Sequence, residues 1–439
     1  MYIERAIDEQ LEIWRNALVR KPLILRGARQ VGKSSSVRNL SKKFNAFVEI
    51  NFDKNPEYLT IFENSLSPTV ICEQLELITN TPIKDGDTLL FFDEIQTSIK
   101  AISSLRYFYE ERPHLHIIAA GSLLEFALSE VPSFGVGRVR SLFMYPFSFD
   151  EFLTASNEKI LLNAIQSASP ENPLPNLIHK KANALFKKFL IVGGMPEAVL
   201  SYATNGNLLE VQRVLDDLII AMETDFPKYK SRIPSSRIRE VFSTVVQQVG
   251  NKFVYNYPNS SLNNVQIKEV LELLKMAGLV YFTTHSASNG IPIGAELNSK
   301  KRKIIPFDTG IFQRIIGLNL GELVLEDDFA LINKGNIAEI YVGLELLKNT
   351  SCYEIGNLFY WQREAKNSQA EVDYVIQKGR GLIPIEVKSG TKGAMQSMYK
   401  FLEEKQSSYG IRTSLENFGK IEKIKIIPLY AIGQILKQS

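Results

Sequence analysis

A glycine-containing run near the N-terminus has the residue types and the spacing of a phosphate-binding loop. Residues 27–34 read GARQVGKS, which matches G-x-x-x-x-G-K-[ST] with an apolar strand before it and a helical pattern after it. Glycine lets the backbone wrap around phosphate oxygens, Lys33 offers charge to the β- and γ-phosphates, and Ser34 offers a hard oxygen to Mg²⁺. The predicted nucleotide-binding residues are Gly27, Ala28, Arg29, Gln30, Val31, Gly32, Lys33, Ser34 and Ser35.

Two acidic residues end an apolar run farther along the chain. Leu89–Phe92 is followed by Asp93 and Glu94. Asp93 is expected to hold Mg²⁺ together with Ser34, directly or through water, and Glu94 is expected to polarise the attacking water as a general base. A solvated strand end would explain an isolated Asp-Glu pair, but the phosphate-binding loop favours the catalytic interpretation.

Three more residues are candidates for contact with the γ-phosphate. Ser122 follows the apolar run Ile117–Ala120, and it either senses the γ-phosphate or caps the strand. Arg138 is the first candidate, and Arg140 the second, for an arginine that stabilises charge in the transition state. A surface position without chemistry is an equally good interpretation of either arginine, and the arginine could act within its own chain or on a neighbouring subunit.

Apolar runs alternate with helical patterns in the first third of the chain, which predicts an α/β fold with a parallel sheet. The predicted strands are Leu23–Leu25, Phe47–Phe52, Leu89–Phe92, Ile117–Ala120 and Leu142–Met144. Residues 2–19 have the periodicity of an amphipathic helix. The predicted domains are a P-loop core (1–155), a linker and helical lid (156–232), a winged helix (233–310) and a C-terminal α/β domain (311–439).

Composition places the chain among ordinary globular proteins. Of its 439 residues 45% are hydrophobic, and 51 basic residues against 48 acidic ones give a formal charge of +3. Cys72 and Cys352 are the only cysteines, which fits a reducing compartment. No run reaches the ~18 apolar residues of a membrane helix. We therefore expect a cytoplasmic protein without a membrane partner.

A dense basic cluster marks the predicted winged helix. Lys300, Lys301, Arg302 and Lys303 lie between two predicted strands. They are interpreted either as a solvated loop or as a contact for nucleic-acid phosphates. The helical stripe at 264–277 carries two lysines and two glutamates, so it lacks the positive charge typical of a helix that reads the major groove.

Motifs along nearly the whole chain resemble a known family. GARQVGKS, LLFFDEIQ, IIAAGSLLEF, YPFSFDEF and LIVGGMPEAV resemble the AAA-type ATPases of the archaeal ATPase group, in the AAA_14 branch. PFDTGIF, AEIYVGLELL, YWQRE, EVDYVI and IPIEVKSG resemble the DUF4143 domain. The resemblance implies an ATPase core with a catalytic glutamate, a helical lid, a winged helix and a restriction-endonuclease-like terminal domain. It also implies that a Gly-x-Pro motif, here Gly194 and Pro196, touches the nucleotide base.

The C-terminal motifs bring acidic and basic residues to one side of a predicted hairpin. Period-2 alternation puts Glu386 and Lys388 on one face of a strand, and a turn at Lys378–Gly381 would place Asp373 beside them, with Glu339 as a fourth group. This is the arrangement of PD-(D/E)XK nucleases, in which the carboxylates hold Mg²⁺ or Mn²⁺. The alternative is an inactive relative in which Lys388 pairs with the acids.

Three functions follow from these residues. The first is a Mg²⁺-dependent ATPase that acts as a conformational switch, with ATP or ADP as its nucleotide. The second is an ATP-controlled nucleic-acid enzyme with a C-terminal nuclease. The third is a module that binds nucleotide without hydrolysing it. A homo-oligomer is compatible with each of them.

Overall fold

The structure, a computed structural model, describes residues 2–130, 137–229, 233–254, 262–320, 334–364, 370–388 and 395–437. Ser389 and Gly390, which end the IPIEVKSG motif, lie outside these ranges. The chain folds as an α/β protein whose N-terminal part is a P-loop NTPase sheet, followed by helices and by further α/β sheets.

The N-terminal sheet consists of five parallel strands in the order β2-β3-β4-β1-β5. These strands are β1 (Leu23–Arg26), β2 (Ala46–Asn51), β3 (Thr88–Asp93), β4 (His116–Ala120) and β5 (Arg140–Phe143). The helices around them are α1 (Ala6–Asn16), α2 (Lys33–Ser41), α3 (Leu59–Asn64), α4 (Pro68–Thr79), α5 (Ile99–Glu111) and α6 (Leu124–Glu130). Every residue of β3 and β4 is buried, as in a parallel sheet covered on both faces. The five predicted strands are confirmed.

The predicted helix over residues 2–19 is shorter than its apolar periodicity indicates. Helix α1 begins at Ala6, because Asp8 accepts a hydrogen bond from the backbone N–H of Arg5 and closes the first turn there. Residues 2–5 precede the helix, and Tyr2 and Ile3 line a cleft beside the phosphate-binding loop. The N-terminal residues therefore belong to the candidate site.

A bundle of helices follows the sheet. These helices are α7 (Phe149–Ala155), α8 (Lys159–Ser167), α9 (Asn176–Val192), α10 (Pro196–Asn205) and α11 (Leu208–Asp225). Residues 159–167 of the predicted linker and helical lid form helix α8, whose Leu161 and Ile165 are buried against the main core. Pro170, Pro173 and Pro175 lie between α8 and α9, and proline is unfavourable inside a helix.

The next region contains two helices and an antiparallel ribbon, the order of elements expected for a winged helix. They are α12 (Ser235–Gln247), α13 (Asn264–Met276), β6 (Val280–Ser286) and β7 (Leu297–Pro306). The free edge of β6 pairs in parallel with β8 (Leu358–Gln362), which pairs in turn with β9 (Glu371–Val372). The ribbon is therefore part of the four-stranded sheet β7-β6-β8-β9. Because such pairing joins strands distant in sequence, the sequence pattern did not reveal it.

The C-terminal region forms a third sheet, in the order β10-β11-β12-β14-β13. Its strands are β10 (Tyr374–Lys378), β11 (Gly381–Val387), β12 (Gly410–Ser414), β13 (Gly419–Ile421) and β14 (Ile424–Pro428). The helices of this region are α14 (Thr309–Ile315), α15 (Lys334–Lys348), α16 (Gln396–Glu404) and α17 (Gln434–Lys437). The predicted hairpin is confirmed, since β10 and β11 pair antiparallel with Lys378 opposite Gly381.

Candidate nucleotide site

The phosphate-binding loop connects the buried strand β1 to helix α2, which begins at Lys33. Gly27 and Gly32 have φ values of 140° and 98°, which are unfavourable for residues with a Cβ atom. A Cβ on Gly27 would also overlap the carbonyl oxygen of Met144, which follows β5. The glycines are therefore needed for the path of the loop past the neighbouring strand.

The ammonium group of Lys33 lies inside this loop. Its Nζ donates to the carbonyl oxygens of Gly27 and Ala28, at 2.9 and 2.7 Å. Burial lowers the pKa of Lys33 to about 8, although the charges of Glu94 and Asp93 act in the opposite direction. A phosphate bound in the loop would meet this cation and would replace the carbonyl oxygens as its partner.

Ser34 and Asp93 form the pair of hard oxygen donors that the sequence predicted. The Ser34 hydroxyl lies 3.0 and 3.1 Å from the two carboxylate oxygens of Asp93. Asn51 donates to the same carboxylate from β2, over 3.2 Å. Burial raises the pKa of Asp93, and the hydrogen bond from Ser34 opposes this effect. A hydroxyl and a carboxylate at the loop are the ligand types that Mg²⁺ prefers, so the residues present fit that ion.

Glu94 is held by two neighbours at the end of β3. Its Oε2 accepts hydrogen bonds from the Gln96 side-chain amide (2.6 Å) and from the Ser122 hydroxyl (3.2 Å). Glu94 itself has φ 53°, in the left-handed region, which turns the chain sharply after Asp93. Ser122 therefore contacts Glu94, the residue predicted to act as the general base. Sequence reasoning missed Gln96, although it stands only two residues after Glu94.

A cleft of about 500 Å³ brings most of the predicted residues together. The predicted residues that line it are Arg29, Gln30, Gly32, Lys33, Ser34, Ser35, Asp93, Glu94, Ser122 and Pro196. Sequence reasoning missed the apolar side chains at the same cleft, which are Tyr2, Ile3, Phe147 and Leu200. The cleft therefore combines a polar part, suited to phosphates and Mg²⁺, with apolar side chains suited to a planar base.

Arg5, which was also missed, lines the cleft and contacts three segments of the chain. It donates to the Val31 carbonyl of the loop, to the Tyr145 carbonyl and to Glu151 of α7, each over 2.8 Å. Its guanidinium lies 4.1 Å from the ring centroid of Phe147. The N-terminal segment is therefore attached to the loop by a charged group with several partners.

Four of the residues predicted to bind nucleotide do not line the cleft, namely Gly27, Ala28, Val31 and Gly194. They contribute to its structure through their backbone atoms. Gly194 accepts a hydrogen bond from the N–H of Phe147 and donates its own N–H to Asp308, both over 2.6 Å. A Cβ at Gly194 would overlap the Phe147 carbonyl oxygen. Of the Gly-x-Pro motif, therefore, Pro196 borders the cleft and Gly194 positions its walls.

Arg138 and Arg140 lie outside the cleft. Arg138 pairs with Glu110 on α5, and about half of its side chain is exposed. The Arg140 guanidinium lies 5.5 Å from the ring centroid of Tyr353. Within a single chain, neither arginine is placed to meet a phosphate in the cleft.

Arg29 links the loop to the helical bundle. Its guanidinium pairs with Asp225, the last residue of α11, which is buried and also pairs with Lys228 at 3.0 Å. Arg29 also lines the cleft. One side chain therefore contacts both the space for phosphates and the end of a helix outside the core.

The C-terminal residues Asp373 and Glu386 lie close together, as expected from the predicted hairpin. Asp373 accepts a hydrogen bond from the N–H of Val387 (2.8 Å), which brings it to β11 beside Glu386. Lys388 pairs with Glu386 at 2.7 Å. Burial raises the pKa of both carboxyls, that of Glu386 to about 7, with the nearby charge of Asp373 adding to the effect on Glu386.

The predicted second metal site at Glu339, Asp373 and Glu386 also contains Lys303, which the sequence interpretation assigned to the basic cluster at 300–303. Lys303 of β7 reaches Glu339 at 3.0 Å and Asp373 at 3.9 Å. Within the described ranges, no three His, Cys, Asp or Glu side chains are arranged to hold a metal ion. Burial raises the pKa of Glu339 to about 7, although Lys303 acts to lower it.

The basic cluster at 300–303 is therefore not the solvated loop of the first interpretation. All four residues belong to strand β7. Lys301 pairs with Glu364 and Arg302 pairs with Glu272, while Lys303 is buried. Acidic partners thus meet three of the four charges for which phosphate contact was the alternative.

Family models match three successive parts of the chain. Residues 19–153 match AAA_14, an AAA domain, residues 183–322 match DUF8612, a domain of unknown function, and residues 334–432 match DUF4143, also a domain of unknown function. The chain therefore joins an AAA-type P-loop ATPase domain to a C-terminal DUF4143 domain. No curated protein shows a significant match.

The solved structures to which this chain is similar include two proteins. The Orc1 protein of Aeropyrum pernix in complex with DNA is 12% identical, with 74% of this chain and 95% of that chain covered and a TM-score of 0.26. Cdc6p from Pyrobaculum aerophilum is 13% identical, with 74% and 96% covered and a TM-score of 0.23. These scores are too low to indicate a shared arrangement of the whole chain.

None of the described helices is long and apolar enough to cross a membrane.

Proposed function

We propose that this protein is a Mg²⁺-dependent ATPase whose nucleotide state controls the arrangement of its helical and C-terminal regions. The observation that carries the proposal is the assembly of Lys33, Ser34, Asp93 and Glu94 around one cleft. Each of these side chains has the chemistry of one step in phosphoryl transfer to water. The proposal extends to a cytoplasmic protein that acts on no membrane.

Each residue of the polar part of the cleft has a defined role in the proposal. Lys33 neutralises the β- and γ-phosphates, and Ser34 and Asp93 would hold Mg²⁺, which supplies charge to the phosphate oxygens when bound. Glu94 takes a proton from the water whose oxygen attacks the γ-phosphorus, while the bond from that phosphorus to the ADP oxygen breaks. Ser122 and Gln96 hold the Glu94 carboxylate by hydrogen bonds.

The apolar side of the cleft is proposed to receive the adenine base. Tyr2, Ile3, Phe147, Pro196 and Leu200 offer flat or aliphatic surface there. A base packed against these side chains would touch the N-terminal segment, the segment before α7 and the first turn of α10 together. Binding would then fix three parts of the chain relative to one another.

Two connections support a conformational switch. Arg29 pairs with Asp225 at the end of α11, and an arriving γ-phosphate would compete for its guanidinium. Phe147, whose side chain borders the cleft, donates its N–H to Gly194 and accepts from Lys348 of α15 over 2.8 Å. A change at the nucleotide can therefore reach both the helical bundle and the DUF4143 region through direct contacts.

Arg138 is proposed to act on the nucleotide of a neighbouring subunit in a homo-oligomer. Its half-exposed side chain and its position outside the cleft of its own chain support action between subunits. An arginine that meets the γ-phosphate stabilises charge in the transition state, so turnover would depend on assembly.

Turnover assays with and without DNA, at two protein concentrations, separate this proposal from its alternatives. We expect phosphate release from Mg²⁺-ATP, and a rate per chain that rises with protein concentration if Arg138 acts between subunits. DNA-stimulated turnover would favour the ATP-controlled nucleic-acid enzyme, with DNA held by the ribbon region or by the C-terminal domain. Stoichiometric bound ADP without turnover would favour the module that binds nucleotide without hydrolysing it.

A further inference from the structure

Four carboxylates gather where the ribbon meets the DUF4143 region. Glu339 lies on α15, Glu371 on β9, Asp373 between β9 and β10, and Glu386 on β11. We call them the carboxylate cluster. Like charges in a partly buried place raise one another's free energy unless cations or protons compensate them.

Lys303 is the cation that contacts most members of the cluster. Its Nζ lies 2.7 Å from Glu371, 3.0 Å from Glu339 and 3.9 Å from Asp373. Glu371 and Glu339 lie within hydrogen-bond distance of this ammonium group, whereas Asp373 lies farther away, at the distance of an ion pair. The Lys303 side chain is only 4% exposed, and the Tyr360 ring centroid lies 5.3 Å from Nζ on another side.

The charges of the cluster also depend on Lys303. Lys252 lies 3.8 Å from Glu371, and Lys388 lies 2.7 Å from Glu386. With Lys303, three cations face four carboxylates, and without it the cluster would have two negative charges in excess. A divalent cation has the charge that would restore neutrality.

One carboxylate oxygen of the cluster lacks a hydrogen-bond partner among the described residues. Oε2 of Glu386 is buried and has no hydrogen-bond partner within the part of the chain that the structure describes, and the whole residue is 7% exposed. An unsatisfied carboxylate oxygen is costly in a buried place. It is therefore a ready ligand for a cation.

We propose that Lys303 is an internal cation that takes the place of a divalent metal ion in the carboxylate cluster. As long as β7 delivers this ammonium group, the cluster holds no metal, and the lysine joins the ribbon to the DUF4143 region. Among the described residues the carboxylates are not arranged to hold a metal ion while Lys303 pairs with them, and without its charge we expect them to close around Mn²⁺ or Mg²⁺. The proposal does not depend on ATP hydrolysis, and any metal-dependent chemistry at this place would first require β7 to withdraw.

Mn²⁺ binding to the full-length, nucleotide-free protein tests the proposal, with free Mn²⁺ counted by electron paramagnetic resonance. Lys303→Met keeps most of the aliphatic stem, and we expect it to gain one Mn²⁺ per chain, at least about tenfold tighter than any wild-type binding. Glu386→Gln in the Lys303→Met background should abolish the gained ion. Lys301→Met is the matched control on the same strand, because Lys301 pairs with the exposed Glu364, and it should gain nothing.

Two results would overturn the proposal. One is a folded Lys303→Met protein, with the circular dichroism and cooperative unfolding of the wild type, that gains no Mn²⁺. The other is a wild-type protein that binds Mn²⁺ and loses it in Glu386→Gln. The second result needs only wild-type protein and a variant that keeps Lys303, so the test stands even if Lys303→Met fails to fold.

Discussion

The carboxylate of Asp308 accepts a hydrogen bond from the backbone N–H of Gly194, with 2.6 Å between Oδ2 and N. Asp308 is fully buried, and it also caps helix α14 by accepting from the N–H of Ile311 at 3.0 Å. Gly194 in turn accepts from Phe147, which borders the cleft. The PFDTGIF motif therefore fixes the position of the GGMP motif, and through it one wall of the candidate nucleotide site.

Asp308→Asn tests this connection. The amide group would turn N–H donors toward backbone N–H groups, and an unsatisfied buried donor costs about 1–3 kcal/mol. We expect a lower free energy of unfolding in urea and weaker ATP binding. Asp53→Asn, at an exposed position, is the control and should change neither quantity. Unchanged ATP affinity in a destabilised Asp308→Asn protein would mean that the connection serves stability alone.

Gly194→Ala tests the same wall from the other side. The added Cβ would overlap the Phe147 carbonyl, so Phe147 must move out of its place at the cleft. We expect a loss of about 1–3 kcal/mol in stability, as for other overpacked sites, and a rise in the Kd for ATP measured by titration calorimetry. Gly290→Ala has no atom within 4 Å of the new Cβ and should behave as the wild type. Full ATP affinity in Gly194→Ala would contradict the proposed contact between Phe147 and the base.

The pKa of Lys33 predicts how ATP affinity depends on pH. Burial lowers this pKa to about 8, so the nucleotide-free loop loses its positive charge as the pH rises above that value. Bound phosphate needs the ammonium form, and binding above pH 8 must therefore take up a proton. We expect the ATP affinity to fall by up to about tenfold per pH unit between pH 8 and 10.

Lys33→Arg is the matched variant for this profile. A guanidinium stays protonated throughout that range, so the affinity of the variant, even if weaker, should be flat with pH. Lys33→Ala should remove most of the affinity, whereas Lys42→Ala, at the exposed end of the same helix, should keep it. A wild-type affinity that stays constant up to pH 10 would contradict the placement of Lys33 at the phosphates.

Arg138 yields a prediction about mixtures. Arg138→Ala should lower kcat while leaving the Kd for ATP unchanged, because the side chain acts on transition-state charge only. If Arg138 acts between subunits, mixing Arg138→Ala with Glu94→Gln should restore part of the turnover, since the first supplies an intact base and the second an intact arginine. Inactive mixtures would argue against action in trans. An Arg138→Ala protein with full turnover would leave Arg140 as the next residue to test.

The local parts of the site could be predicted from the sequence, and the distant parts could not. The loop at 27–34 and the Asp93–Glu94 pair are continuous stretches whose chemistry depends on neighbours in the chain. Tyr2 and Phe147 reach the cleft through tertiary packing, and neither stands in a pattern that marks nucleotide contact. The sheet followed from apolar runs, because buried parallel strands consist mostly of such residues.

Lys303 illustrates the limit of reading charge from sequence. Four consecutive basic residues indicated an exposed patch. The local pattern does not indicate that acidic residues of α15 and β9 contact the last of the four, Lys303. The pairing of β6 with β8 brings those acids near, and it joins residues far apart in the chain. Burial of a charged group depends on partners, which a single segment does not contain.

The most direct test of the proposed function is phosphate release from Mg²⁺-ATP by the wild type and by Glu94→Gln, with ATP binding measured on the same samples. The wild type should turn over only with a divalent metal present. Glu94→Gln should bind ATP with an unchanged Kd and lose turnover by about 100-fold or more, because the water lacks its base. Glu73→Gln, on the exposed face of α4, should match the wild type. Wild-type turnover in Glu94→Gln, or no ATP binding by either protein, would contradict the account.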